Sequence, residues 1–230
     1  MMNNSIQNSN SVMVKLLSNE QISKYKEEGY LVISGLFSDE DVQKWQQECD
    51  RLLSLSDIIN EYNWRTYIRK FKTGVGKLEK IDPVIDISPG FLNLSKDWRI
   101  ISIIKQILQD EKIYLFRDKL IFKPPGQGEY PLHQDHSWWN MYPPNDICTI
   151  VIAIDNSNKT NGAIEFFKGY HQKDLLSQDS KNIISGKALE NSNLADSELV
   201  EIKGGDVIVF HSLTPHCSSR NMSTSSRKHY

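Results

Sequence analysis

The residues with the most chemistry to offer are His133 and Asp135, set one residue apart in Pro131-Leu132-His133-Gln134-Asp135. Two further imidazoles follow in Val207-Ile208-Val209-Phe210-His211-Ser212-Leu213-Thr214-Pro215-His216. Imidazole nitrogens and carboxylate oxygens bind divalent transition metals. Two histidines and one carboxylate on one face of an ion leave the other face open, which is the arrangement of non-heme Fe(II) oxygenase sites. The spacing works on an extended chain, where residues i and i+2 point the same way. His133 and Asp135 would then stand side by side, with Gln134 turned away. The third ligand must come from a neighbouring strand, which accounts for the long gap in sequence. On these residues alone His211, with Arg220 as its basic partner, and His216 are both open as that ligand. An isolated H-x-D is also a common surface pair, so the surrounding elements decide.

Those elements read as strands. Asp146 to Asp155 is a β-branched run suited to a core strand, Asn161-Gly162 is a turn dipeptide before the short run Ala163 to Phe167, and Gly169-Tyr170-His171 closes a strand. Gly204-Gly205-Asp206 turns the chain into Val207 to Phe210. Strand, turn and strand at regular spacing predict a closed or sandwiched all-β core. Upstream, Ser18 and Gln21 form a capping box for a helix carrying Ile22 and Tyr25. Tyr30 to Leu36 reads as a strand, and Ser38 caps a helix from Asp39 to about Leu55. Ser95 caps a further helix with Trp98, Ile101, Ile104, Ile107 and Leu108 on one face. A strand from Ile113 to Phe122 leads into the core. The stretch from Ser56 to Pro89 has weak periodicity and mixed charge and is expected to shape the substrate entrance.

The words Lys123-Pro124-Pro125, His133-Gln134-Asp135, Asn161-Gly162, Lys168-Gly169-Tyr170-His171, Gly205-Asp206, Phe210-His211 through His216-Cys217-Ser218, and Asn221-Met222-Ser223 before Arg227 occur in this order. In this the chain resembles the phytanoyl-CoA dioxygenase family of Fe(II)/2-oxoglutarate oxygenases, from roughly Leu16 onward. The resemblance implies a mainly β fold with flanking helices, a double-stranded β-helix (jelly-roll, cupin-like) barrel. It implies His133, Asp135 and His216 as iron ligands, so it selects His216 over His211, which becomes a buried residue at a strand end. Arg227 and Ser218 would hold the distal carboxylate of 2-oxoglutarate, since a guanidinium presents paired donors to a carboxylate at any working pH. Lys119 falls where relatives place a group near the cosubstrate, and Trp139 would wall the substrate pocket, with Trp138 a core-packing residue. Relatives often carry Trp where this chain has Val151. Cofactors and cosubstrates would be Fe(II), 2-oxoglutarate and O2. Related halogenases replace the carboxylate that Asp135 supplies, so its presence implies hydroxylation of a small, specialised or biosynthetic metabolite. A non-catalytic metal- or metabolite-binding barrel and a Zn-dependent hydrolase are the alternatives; the latter leaves Arg227 and Ser218 without a task.

Composition bounds the rest. With 230 residues, 39% of them hydrophobic and 24% charged, the chain suits one domain with a substantial core. Residues 1–12 read as a disordered leader and 13–230 as a single domain, helical from about 17 to 110 and barrel from about 113. A net charge of -2 argues against nucleic acid as a partner, and no apolar run reaches the roughly 18 residues of a membrane span. Cys49, Cys148 and Cys217 show no paired spacing, which predicts a reducing, cytoplasmic setting. Lys70, Lys72, Lys77 and Lys80 read as a solvated surface. Arg227 lies close to Tyr230, so the expected cosubstrate site depends on how that last segment is held.

Overall fold

The computed structural model describes residues 15–55, 57–70, 76–176, 181–192, 194 and 197–230. The expected leader and Lys72 lie outside them. In chain order the elements are α1 (Asn19–Glu28), β1 (Tyr30–Ile33), α2 (Asp39–Leu53), β2 (Thr66–Lys70), β3 (Gly76–Ile81), α3 (Pro89–Ser95) and α4 (Trp98–Leu108). They continue with β4 (Leu120–Lys123), β5 (Tyr130–His133), β6 (Cys148–Ile152), β7 (Ile164–Phe166), α5 (Lys187–Ser192), β8 (Glu198–Val200), β9 (Val207–His211), β10 (His216–Ser218) and β11 (Arg227–His229). Hydrogen bonding gives the sheet orders β1-β9-β6, β5-β10-β7-β8 and β11-β4-β3-β2. All pairings are antiparallel. Ala153 bridges His229, and Ile152 and Tyr230 exchange backbone hydrogen bonds of 2.6 and 3.0 Å. These join the first and third sheets into one wall facing β5-β10-β7-β8, a jelly-roll. The last segment is thereby tied into a sheet, and Arg227 on it is buried.

The helices cover the outer face of the β4 wall. Trp45, Leu52, Phe91 and Ile103 pack with Ile81, Leu120, Phe122 and Val209 in the main core. Each such side chain contributes roughly 1.5–3 kcal/mol on burial. Leu120 and Phe122 face the helices, so Ile121 and Lys123 face the barrel interior by strand alternation. The capping box predicted at Ser18 forms, and the cap predicted at Ser38 forms as a box with Asp41. No helix among the described residues is long and apolar enough to cross a membrane.

Several expected boundaries move. β1 ends at Ile33 rather than Leu36, because Gly35 takes a left-handed φ of 63° and donates its N–H to Asp206 Oδ1 at 2.7 Å. The strand expected from Ile113 is confined to Leu120–Lys123. Its neighbour β3 stops opposite Leu120, and Asp118 turns its carboxylate to the N–H groups of Val84 and Ile85 instead. Ser95 does not cap α4. It ends α3, and Asp97 accepts the Arg99 N–H at 2.9 Å. The buried face of α4 is Ile100, Ile103, Gln106 and Ile107, leaving Trp98 56% exposed. Gly169-Tyr170-His171 forms a 3-10 turn, not a strand end. The stretch expected to shape an entrance contains the antiparallel strands β2 and β3, extending the wall that carries Arg227.

Candidate metal centre and cosubstrate pocket

His133 ends β5 and His216 begins β10, and the two are direct partners across the antiparallel pair. Gln134 continues extended, with φ -118° and ψ 129°, and Asp135 then starts a 3-10 turn running to Trp138. The triplet therefore keeps the predicted side-by-side orientation although only its first residue is in a strand. Gln134 faces away and is fully buried, donating to Leu213 O at 2.7 Å and accepting from Leu176 N at 2.8 Å. Ligand atoms of His133, Asp135 and His216 lie within 4.8 Å of one another. Asp135 Oδ1 stands 3.6 Å from His133 Nε2 and 4.0 Å from His216 Nε2.

The outer contacts fix which atoms are offered. Nδ1 of His133 meets Pro131 O at 2.6 Å, and Nδ1 of His216 meets Thr214 O at 2.9 Å. A carbonyl accepts only from N–H, so each ring carries a proton on Nδ1 and turns Nε2 inward as the atom a metal would take. Thr149 donates to Asp135 Oδ2 at 2.7 Å, which leaves Oδ1 facing the rings. Burial opposes ionisation of Asp135, yet the two imidazoles and Lys119 hold its carboxyl well below the usual range. Burial and the neighbouring His133 push His216 down to about 4, so it is neutral at pH 7. A neutral His216 nitrogen and an anionic Asp135 oxygen are the protonation states a divalent ion needs of them. Bonds of about 2.0–2.2 Å would draw these atoms to separations of roughly 3 Å, a contraction of an ångström or less for the two Oδ1 contacts. The donor set fits Fe(II).

The other histidines are accounted for. His211 accepts the Leu213 N–H at Nδ1 (3.1 Å) and meets Asn145 Oδ1 at Nε2 (3.0 Å), so neither nitrogen is available to a metal. His136 meets Ser212 Oγ at 3.5 Å, and His171 Nε2 meets Lys26 O at 3.1 Å. Thr214, whose carbonyl orients His216, is itself held by a hydroxyl donation to Gly29 O at 2.7 Å. Cys217, between His216 and Ser218 on β10, is only partly buried and its thiol is pushed up to about 11 by burial.

Arg227 sits on the opposite wall, paired with Lys123. Its Nη1 lies 3.3 Å from Ser157 Oγ and 2.7 and 3.0 Å from the ring nitrogens of His229, and its buried Nε has no partner. Asp155, the carboxylate that supports its charge, is engaged by Lys228 N at 2.8 Å and Gln46 Nε2 at 3.2 Å. Burial pushes the Arg227 pKa down to about 10. A buried guanidinium with an orphaned N–H and no bonded carboxylate fits an anionic ligand. Ser218 is buried on β10, but its hydroxyl oxygen accepts from Lys123 Nζ at 2.7 Å. Lys123 also donates to Gly162 O at 2.9 Å and Ser219 O at 2.7 Å. With its oxygen taken, Ser218 has its proton free to donate. Lys123 was read in the sequence only as part of a word. The available signal was its place on the inward face of a strand, two residues from Ile121.

Lys119 lies one residue before β4 and is partly buried; burial lowers its pKa, against which Asp135 favours the ammonium form. Trp139 is partly buried and meets Phe116 edge-on at 5.7 Å, so it belongs to the rim. Trp138 is the indole against the metal centre, edge-on to His133 at 5.2 Å. At 46% exposure it is not a core residue. Val151 lies in β6 opposite Ile208.

The family model for phytanoyl-CoA dioxygenase (PhyH) matches residues 25–229. The 2-aminoethylphosphonate dioxygenase of uncultured bacterium HF130_AEPn_1 is 24% identical over 213 residues, spanning 91% of this chain and 78% of that protein. Among solved structures, EctD from S. alaskensis with 2-oxoglutarate and 5-hydroxyectoine superposes with a TM-score of 0.79 at 19% identity, covering 93% of this chain and 74% of that one. EctD with bound Fe gives 0.78 at 20% identity, with coverage of 93% and 74%. These structures share the jelly-roll, and the family match extends over nearly the whole described region. The chain belongs to the phytanoyl-CoA dioxygenase family.

Proposed function

We propose that this protein is an Fe(II)- and 2-oxoglutarate-dependent dioxygenase that hydroxylates an unactivated C–H bond of a small biosynthetic or specialised metabolite. One O2 and one 2-oxoglutarate would be consumed for each hydroxyl installed, with release of succinate and CO2. The observation that carries this reading is the meeting of three metal-competent atoms on one wall with an uncompensated guanidinium on the other. Bound iron and 2-oxoglutarate supply the oxidising chemistry.

The chain's own residues do the holding. His133, Asp135 and His216 would bind the ion, each aimed by an outer contact so that little reorganisation is needed. Arg227 would take the distal carboxylate of the cosubstrate, and Ser218 would donate its free proton to it, held in orientation by Lys123. A two-carboxylate ligand held at the triad and by Arg227 would draw on both walls of the barrel. Trp138 shields the His133 edge from water, and Trp139 with Phe116 walls the approach for substrate. Asp135 would keep a carboxylate on the ion, which supports hydroxylation as the outcome.

The test is anaerobic addition of Fe(II) to protein holding 2-oxoglutarate. A metal-to-ligand charge-transfer band should form and should be absent in His133→Ala and Asp135→Ala. Succinate should appear when O2 is admitted with a metabolite panel. A band surviving both substitutions would refute the ligand assignment. Tight iron binding with no succinate from any substrate would favour a non-catalytic barrel.

A further inference from the structure

Gln134 stands between two metal ligands, yet its side chain points away from them and is fully buried, so it serves something other than direct contact with the ion. Its amide is fixed at both ends. Leu176 N donates to Oε1 at 2.8 Å, and Nε2 donates to Leu213 O at 2.7 Å. A main-chain N–H can only donate and a carbonyl can only accept. One orientation of the amide therefore satisfies both, and an apolar side chain of the same length would satisfy neither.

What the amide holds is the other half of the metal centre. Leu213 O belongs to the Leu213–Thr214 peptide unit, whose N–H donates to His211 O at 2.9 Å. The next carbonyl, Thr214 O, meets His216 Nδ1 at 2.9 Å and aims that ring. Gln134 thus clamps the peptide immediately before the one that orients His216. Its own carbonyl accepts from Ser137 N at 3.1 Å and Ser137 Oγ at 2.7 Å, closing the turn that carries Asp135. A main-chain bond from His136 N to Ser212 O at 2.9 Å runs beside the side-chain tie. Two ligand-bearing segments, 79 residues apart at Gln134 and Leu213, are stitched together behind the metal-facing surface.

We propose that Gln134 is a positioning residue of the metal centre, whose amide locks the turn aiming His216 to the turn presenting Asp135 so that the three ligands act as one preorganised set. This rests on the reading of His133, Asp135 and His216 as metal ligands. Without the amide, an arriving ion would have to order the His216 turn as it bound.

The test uses the full chain with Co(II) as the probe, because its d–d bands report ligand geometry and need no turnover. The unsubstituted protein should bind Co(II), with the bands lost in His133→Ala. Gln134→Met, similar in length but without the amide, should bind Co(II) roughly 10–100-fold more weakly and show altered bands at saturation. Gln134→Asn, one methylene too short to reach both partners, should act in the same direction by at least about threefold, and it serves where the Met variant does not fold. Ile103→Val, a small cavity in the helix-covered core, should lower the urea midpoint and leave Co(II) affinity and bands unchanged. Unaltered affinity or unaltered bands in the folded Gln134 variants would overturn the proposal. So would an equal loss of affinity in Ile103→Val, which would make the effect one of general stability. Failure of the unsubstituted protein to bind Co(II), or bands that survive His133→Ala, would defeat the ligand assignment itself, and this proposal with it.

Discussion

The two walls of the barrel leave opposite charges uncompensated, and they do so by different means. On the β5-β10 wall the two imidazoles are fastened by their Nδ1 atoms to main-chain carbonyls and the carboxylate by one oxygen to Thr149. What remains bare is a cluster of lone pairs with one net negative charge. On the β4-β11 wall Arg227 has hydroxyl and imidazole neighbours but no bonded carboxylate among the described residues, and Lys123 next to it spends its donors on neutral oxygens. The comparison teaches that fastening and neutralising are separate tasks. Each wall holds its functional atoms rigidly while withholding the partner that would cancel them.

Breaking the first wall should have the largest effect. Asp135→Ala removes the only anionic ligand atom, and turnover should fall by at least about a thousandfold. Thr149→Val, which removes only the outer contact, should cost roughly 10–100-fold in iron affinity by competition with a chelator. On the second wall, Arg227→Met should weaken 2-oxoglutarate by roughly 10–100-fold, the size expected for charged hydrogen bonds worth about 1.5–3 kcal/mol. Its melting temperature without cosubstrate should not drop, because an uncompensated buried charge is removed along with its weak contacts.

Lys123→Met sharpens the contrast. Gly162 O, Ser219 O and Ser218 Oγ would lose their donor, so the urea midpoint should fall by an amount equivalent to about 2–4 kcal/mol. A midpoint that moves for Arg227→Met and not for Lys123→Met would reverse the distinction drawn between the two cations.

A pH dependence tests the buried imidazoles on their own. His211 and His216 are both pushed down to about 4 by burial, against an unfolded value near 6.5. Between those values the unfolded chain binds more protons, so stability is lost as pH falls from about 6.5 towards 4. The slope is at most about 1.4 kcal/mol per pH unit for each group. Urea midpoints of metal-free protein at pH 7, 6 and 5 would read it, and a flat profile would contradict the buried neutral imidazoles.

The sequence made the triad legible because its information is local: a period of two around Gln134, and a second histidine at the head of another strand. The capping box at Ser18 and the cap at Ser38 were legible for the same reason. What failed depended on partners that a linear reading does not contain. Helix α4 is apolar almost all round, so Ile101 and Ile104 looked as suitable for burial as Ile100 and Ile103, and packing into the main core beside α1 chose between them. The β2–β3 hairpin escaped notice because a register shift pairs Tyr67 with Lys80 but Ile68 with Leu78, which breaks alternation where Arg69 and Glu79 form their ion pair. Lys123 escaped because a lysine reads as solvated until three oxygens are found around its nitrogen.

Gly29 ends α1 in a left-handed conformation, and a Cβ there would lie 2.4 Å from His171 Nδ1 and 2.6 Å from Thr214 Oγ1. Its carbonyl takes both the Thr214 hydroxyl and the His211 N–H, at 2.7 and 2.9 Å. A helix that contributes no ligand thus acts as a gunsight for one imidazole nearly the whole chain away. Gly29→Ala should misalign that imidazole without touching the ion, loosening iron while sparing the grip on 2-oxoglutarate's far carboxylate.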